Sequence, residues 1–272
     1  MTADPATSPG ELDPAAIKAC CAAGYSSDVV ALLLGASYHP GGLGLTRRLL
    51  DALEVGPGDR LVDVACGVGT TALLAAQEYG ATVDGVDLSE ANVKLASGAA
   101  VAADLADRAH FHHGDAEALP LADSGWDTVV CECALCTFPD KTTAAHELAR
   151  VLRPGGRVGI TDIVADPARL PAELTGVAAW VACIADARPI PEYRRLLGQA
   201  GLRVTLVEHH THALERMITQ IAARLELLKL IARPRLETLG VDVARSAPVL
   251  DAARTAVRDG VLDYVLITAE KP

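Results

Sequence analysis

Residues 56–89 run GPGDRLVDVACGVGTTALLAAQEYG and then ATVDGVDLS: a turn, a short apolar β-branched run, a glycine turn, a helical stretch, and a second short strand that ends at Asp87. This is a βαβ unit, and it constrains the fold more than any other stretch, because strand–helix–strand units of this length require a parallel sheet. The alternation continues downstream with helix ANVKLASGAAVAADLA, strand AHFHHGD, strand WDTVVCE, helix KTTAAHELARVL, turn RPGG and strand RVGITDIV. The expectation is an α/β fold with a doubly wound, mostly parallel sheet. Beyond it, residues 169–200 have helical pattern, VTLVEHH reads as a strand, residues 212–233 form a long amphipathic helix, and YVLITAE closes the chain as a strand. Met217, Ile218, Ile221, Leu225 and Leu228 recur at helical spacing in that long helix, which suits packing on the domain, a lid or a dimer face.

A chain of 272 residues, half of them apolar, supports one substantial core with additions. The expected organisation is a mobile tail over residues 1–13, a helical N-terminal cap over 14–55, a cofactor-binding core over 56–168, and a substrate-side helical insertion with closing strands over 169–272. In the cap, a helical pattern from Pro14 to about Leu34 is broken by SYHPGG before a second helix, LTRRLLDAL. The formal net charge of -11 argues against a nucleic-acid partner, since phosphate binding needs a basic face. No apolar run is long enough to span a membrane and the first residues lack a signal-peptide pattern. A small-molecule substrate and a cytoplasmic protein, monomer or homodimer, are therefore expected. Seven cysteines fit a reducing compartment.

In DVACGVGTT, Gly67 and Gly69 allow the backbone to turn sharply ahead of a helix whose first N–H groups are unpaired. Asp63 lies inside the first strand, Asp87 ends the second, where a carboxylate can accept both ribose hydroxyls of a nucleoside, and HGDAEALP places Asp115 after the third. A dinucleotide fold would want glycine at position 72, which is Ala72. The set resembles the class I S-adenosylmethionine-dependent methyltransferases, over roughly residues 56–165, and ELARVLRPGGRVGITD matches that family's fifth strand and the turn before it. Ala65 replaces a glycine often seen in the turn. The resemblance implies a seven-stranded Rossmann-like sheet, S-adenosylmethionine as cofactor, and cofactor-binding positions at Asp63, Ala65, Gly67, Gly69, Asp87, Leu88, Asp115, Ala116 and Glu132.

CECALC, Cys131 to Cys136, concentrates three thiols just where the fourth strand should reach the substrate edge. If extended geometry persisted, Cys131 and Cys133 would share a face. Zinc is one alternative, although structural zinc wants four ligands, usually in paired knuckles; ordinary packing is another, and it suits Cys66 and Cys131. Cys20 and Cys21 lie on the cap helix and Cys183 in the helical insertion. CALCTFPDK, an N-terminal cysteine and a cysteine after the fifth strand together resemble the arsenite methyltransferases. That resemblance implies a trivalent metalloid held by Cys133, Cys183 and either Cys20 or Cys21, these being both the substrate ligands and the catalytic residues. Cys131, Glu132 and Cys136 depart from that family's usual loop. Three thiolates leave a trivalent metalloid its lone pair, which attacks the sulfonium methyl without loss of a proton, so no general base is needed. A methyltransferase of a small organic acceptor and a non-catalytic metalloid-binding protein are the competing expectations. His39, Tyr25 and Tyr38 lie near the cap, His112 and His113 flank the third strand, and EHHTH, with His209, His210 and His212, raises a separate metal possibility.

Overall fold

The computed structural model describes residues 13–25, 38–175, 184–231 and 243–272. The expected tail up to residue 12 and the position Cys183 lie outside the described residues. Two helices come first, α1 (Pro14–Tyr25) and α2 (Gly42–Ala52), followed by β1 (Arg60–Val64) and α3 (Thr70–Leu74), which runs on as a π-helical turn over Ala75–Tyr79. Then come β2 (Thr82–Asp87), α4 (Glu90–Ala102), β3 (Ala109–His113), β4 (Trp126–Glu132), α5 (Lys141–Val151) and β5 (Leu152–Ala165). The remainder is α6 (Ile190–Gln199), β6 (Arg203–His209), α7 (Thr211–Ile231), α8 (Val243–Arg258) and β7 (Leu262–Glu270).

The seven strands form one sheet in the order β3-β2-β1-β4-β5-β7-β6. β1 to β5 are parallel and β7 enters antiparallel between β5 and β6. The order reverses at β1 and β4, and a doubly wound sheet opens its ligand crevice at the carboxyl ends of the strands beside such a reversal. Strand burial explains the sequence pattern: Leu61, Val62, Val64, Val129 and Val130 are fully buried, so these strands read as apolar runs without alternation. One apolar core lies between the sheet and α2, α3, α4, α7 and α8; Leu49 and Leu50 of α2 and Leu53 just after it are fully buried there. The other lies between the sheet and α5 and α6, around Leu148, Tyr193 and Leu197. Each leucine so buried contributes about 1.5–3 kcal/mol.

Two expectations are corrected here. Of residues 169–200, the described part contains a single short 3-10 turn (Ala172–Leu174) before α6, and 176–183 lie outside the described residues. RPGG, expected as a turn before the fifth strand, belongs to β5 itself: Trp126 pairs with Leu152 and Thr128 with Arg157, so the extra residues bulge from the ladder. Lys271 fixes that bulge, with Gly155 N–H donating to its carbonyl at 2.8 Å and its own N–H donating to Gly156 at 2.9 Å. In α7, Ile218, Leu225 and Leu228 are buried, so its apolar stripe faces the domain. No helix among the described residues is long and apolar enough to cross a membrane.

Candidate active site

The carboxyl edge of β1, β2 and β4 and the loop after β3 enclose a cavity of about 310 Å³, closed on the open side by α1 and the loop that leads into α2. Asp63, Ala65, Gly67, Asp87, Leu88, Asp115, Ala116 and Glu132 all line it, as the sequence suggested. Gly69 does not. It is the N-cap of α3 at φ 83°, and a Cβ there would lie 2.8 Å from Phe111 Cζ and 2.9 Å from the Ala96 methyl. Its role is to let α3 and α4 close on the sheet. Gly69→Ala is accordingly expected to destabilise the fold by roughly 2–5 kcal/mol, from left-handed strain and overpacking together, as a urea unfolding midpoint would show.

The turn is held by its acids. Asp87 Oδ2 accepts from Gly67 N–H at 2.8 Å, and Oδ1 from Ser89 N–H at 2.9 Å and Asn92 Nδ2 at 3.3 Å. Asp63, 2% exposed, accepts from Ala72 N–H at 3.1 Å, the first turn of α3. Burial first, then the neighbouring Glu132 and Asp87 carboxylates, hold the Asp63 carboxyl well above the usual range. Ala65 sits at φ 58°, the left-handed conformation for which a glycine would be the ordinary choice.

In the loop after β3, Asp115 Oδ1 accepts from Glu117 N–H at 2.9 Å, and Lys18 of α1 reaches Asp115 Oδ2 at 2.7 Å and Glu117 Oε2 at 2.5 Å. Lys18 thus ties the cap helix to the cavity rim, a contact absent from the sequence expectations. Lys18→Met should release α1, seen as faster amide exchange across Pro14–Tyr25 with β1 protection unchanged; equal exchange would mean the ion pairs do not hold the cap.

Cys133 has φ 53°, so the strand alternation ends at Glu132 and Cys131 and Cys133 do not share a face. Cys131 is fully buried in the core toward α5 and α6, whereas Cys133 packs on the opposite side and lines the cavity. Its N–H donates to Thr161 C=O at 2.6 Å, which fixes the kink. A non-glycine residue in this conformation costs about 1–2 kcal/mol and concentrates where function needs it. Cys21 lines the cavity from α1; Cys20, equally a candidate from sequence, does not. Cys136, 1% exposed and with its N–H bonded to Asp162 at 2.7 Å, is a core residue and does not reach the cavity wall. Burial, with Asp63 and Asp87, pushes the Cys66 thiol up, and burial, with Asp162 and Asp63, does the same for Cys131. Both stay protonated; Cys131 is sealed in the core, whereas Cys66 also borders the cavity.

His39 and Tyr38 line the cavity. His39 Nε2 lies 3.7 Å from Glu132, whose carboxylate also accepts from three threonine hydroxyls: Thr71 at 2.8 Å, Thr46 at 3.1 Å and Thr161 at 3.3 Å. Tyr25 ends α1. His112 and His113 lie within β3; the first is bonded to Asp84 at 2.8 Å, the second to the Leu88 carbonyl at 3.0 Å. In EHHTH each ring has its own carboxylate, Asp263 for His209 at 2.6 Å, Glu208 for His210 at 3.3 Å and Glu215 for His212 at 2.8 Å. No group of three or more potential ligands for a metal ion forms among the described residues.

The cavity suits a nucleoside bearing a polar tail. Acids stand at the ends of adjacent strands, the Gly67 turn leaves room for close approach, and Asn92, 2% exposed on the cavity wall, has Oδ1 without a hydrogen-bond partner among the described residues.

These features define a nucleoside-binding α/β domain of the doubly wound class. Residues 62–160 match the family model described as a methyltransferase domain. The chain is 34% identical over 230 residues to a 27-O-demethylrifamycin SV methyltransferase of Amycolatopsis mediterranei, covering 84% of this chain and 83% of that one. It is 32% identical over 186 residues to an arsenite methyltransferase of Halobacterium salinarum, where it spans 65% of this chain and 45% of the relative. Its fold matches geranyl diphosphate C-methyltransferase from Streptomyces coelicolor, crystallised with S-adenosyl-L-homocysteine, at TM-score 0.70 and 20% identity over 85% of this chain and 76% of that one. A Haemonchus contortus phosphoethanolamine N-methyltransferase 2 in complex with S-adenosyl-L-methionine gives TM-score 0.74 at 19% identity over 94% of this chain and 60% of that one. The chain belongs to the class I S-adenosylmethionine-dependent methyltransferases.

S-adenosylmethionine, when bound, supplies an electrophilic methyl group on sulfur. Asp87, steadied by Asn92, would hold the ribose, the Leu88–Ala116 walls would hold the nucleoside, and the Gly67 turn would admit the remainder.

Proposed function

We propose that this methyltransferase transfers its methyl group to a trivalent metalloid held by cysteine thiolates, with arsenite as the first candidate. The observation that carries the reading is the convergence of Cys21 from α1 and Cys133 from the end of β4 on the cavity of Asp87 and the Gly67 turn. Cys183 would complete a three-thiolate set from the segment after β5, and Cys21, which lines the cavity, is our choice over Cys20 for the ligand from α1. The reacting lone pair forms a bond to the methyl carbon while the carbon–sulfur bond breaks and its electron pair stays on sulfur. No proton moves. What this chain contributes is ligation, orientation and water exclusion, and Cys133 is strained into its position for the purpose.

Titration of the protein with arsenite while free thiols are counted tests the ligand set. Loss of three thiols per bound metalloid, reduced to two in Cys133→Ser and in Cys21→Ser but not in Cys20→Ser, is expected. No loss of thiols at saturating arsenite would contradict the reading. Binding without turnover would instead identify a metalloid-binding protein.

A second reading, transfer to a hydroxyl of a small organic acceptor, is supported by the His39–Glu132 pair on the cavity wall, which could take a proton, and by the rifamycin-directed relative. Methylation of such an acceptor with Cys133→Ser fully active would favour it.

A further inference from the structure

Among the described residues of α1 only Ile17 is buried, so apolar packing alone sets the rotation of this helix weakly. That rotation decides which thiol faces the cavity. Lys18, Cys21 and Ala22 stand at positions i, i+3 and i+4, on one face of the helix, and all three line the cavity. Cys20 lies about 200° round the helix axis from Lys18 and does not line it. Holding Lys18 therefore presents Cys21 and turns Cys20 aside, and Glu117 Oε2 is one of the two carboxylate oxygens that hold it.

Glu117, with its side chain 14% exposed, also works in a second direction. Its Oε1 accepts from the Asp140 N–H at 2.8 Å. Asp140 is the N-cap of α5 and ends the loop that opens at Cys133 and places Thr137, Phe138 and Pro139 on the cavity wall. The near end of that loop is fixed by the bond from Cys133 N–H to the Thr161 carbonyl, and its far end by Glu117. The glutamate has a firm base of its own, since its N–H donates to Asp115 Oδ1 at 2.9 Å. One carboxylate thus joins the helix that carries Cys21 to the loop that carries Cys133.

We propose that Glu117 is a positioning residue for the acceptor: by holding Lys18 on one oxygen and the start of α5 on the other, it sets Cys21 against Cys133 so that one trivalent centre can bridge them. The inference rests on the thiolate reading of the acceptor and deepens it, because it makes the fit of the two thiols depend on a residue that touches neither metalloid nor cofactor.

Phenylarsine oxide, which condenses with two thiols and releases water, is the probe, titrated into the full chain in a Cys20→Ser background so that the neighbouring thiol takes no part. The parent is expected to lose two thiols, and Cys21→Ser or Cys133→Ser to weaken binding about 100-fold or more by breaking the chelate. Glu117→Gln, which keeps an acceptor for Asp140 but removes the charge facing Lys18, is expected to weaken it about tenfold, with S-adenosylmethionine affinity unchanged within about threefold. Lys18→Met should lose at least as much, and adding Glu117→Gln to it should cost no more than about twofold further, because both act through one contact. Parent affinity in Glu117→Gln, additive losses in the double variant, or equal losses for arsenical and cofactor would each overturn the inference and leave the thiolate reading standing. A parent that binds no more tightly than Cys133→Ser would sink that reading and the inference with it. If Glu117→Gln does not fold, Lys18→Met takes its place, and undiminished arsenical affinity there overturns the proposal.

Discussion

Cys133→Ser is expected to lower methyl transfer to arsenite by about 100-fold or more, equivalent to about 2.8 kcal/mol, while S-adenosylmethionine affinity stays within about twofold. The hydroxyl is close in size to the thiol, so the backbone kink at φ 53° and the Thr161 hydrogen bond survive; what changes is the donor. A serine hydroxyl stays protonated at neutral pH and is a hard, weak ligand for a soft trivalent centre. Cys183→Ser should behave likewise. Cys66→Ser and Cys131→Ser should lose little transfer, because those thiols are buried and held protonated. Single-turnover rates with matched cofactor titrations separate the two classes. A Cys133→Ser enzyme whose rate falls only in step with its cofactor affinity would remove Cys133 from ligation.

Asp87→Ala is expected to weaken S-adenosylmethionine binding by roughly 10²- to 10⁴-fold, since two charge-assisted hydrogen bonds of about 1.5–3 kcal/mol each are at stake. The structure adds a second consequence. The same carboxylate ties Gly67, Ser89 and Asn92, so its removal leaves the Gly67 N–H without that acceptor and also lowers the melting temperature. The effect on binding should still exceed the effect on folding. Asp115→Ala should cost less cofactor affinity, and it should also loosen α1 by removing one of Lys18's two partners. Calorimetry on the folded variants measures the first effect and a melting curve the second. Unchanged affinity in folded Asp87→Ala would remove that residue from the cofactor site.

The fold was legible because its signals are local. The apolar runs at Leu61–Val64 and Val129–Val130, the glycine turn between them and the helix that follows lie within short windows, and burial on both faces of a parallel sheet dictates their composition. Asp63, Asp87 and Asp115 were legible for the same reason: each sits just before, at or just after a strand end that the pattern marks. The bulge at RPGG was not, since it depends on pairing with β4 and on Lys271 at the far end of the chain. Three threonines from separate elements around Glu132 carry no motif, and Lys18 meets Asp115 across 97 positions of sequence. Alternation through CECALC predicted a shared face for Cys131 and Cys133; a left-handed residue, invisible to periodicity, turned Cys133 to the cavity instead. The same turn made Cys133 the clearest thiol of the cluster and left Cys136 in the core.

Transfer of a labelled methyl group from S-adenosylmethionine to arsenite by the purified, reduced protein tests the account most directly, run beside antimonite, selenite and a panel of small hydroxyl compounds. The account predicts labelled methylarsenicals from the wild type, none above background from the Cys133→Ser/Cys183→Ser double variant, and unlabelled hydroxyl compounds throughout. Labelling of a hydroxyl compound at full rate by that double variant, with arsenite left unmethylated by the wild type, would contradict it.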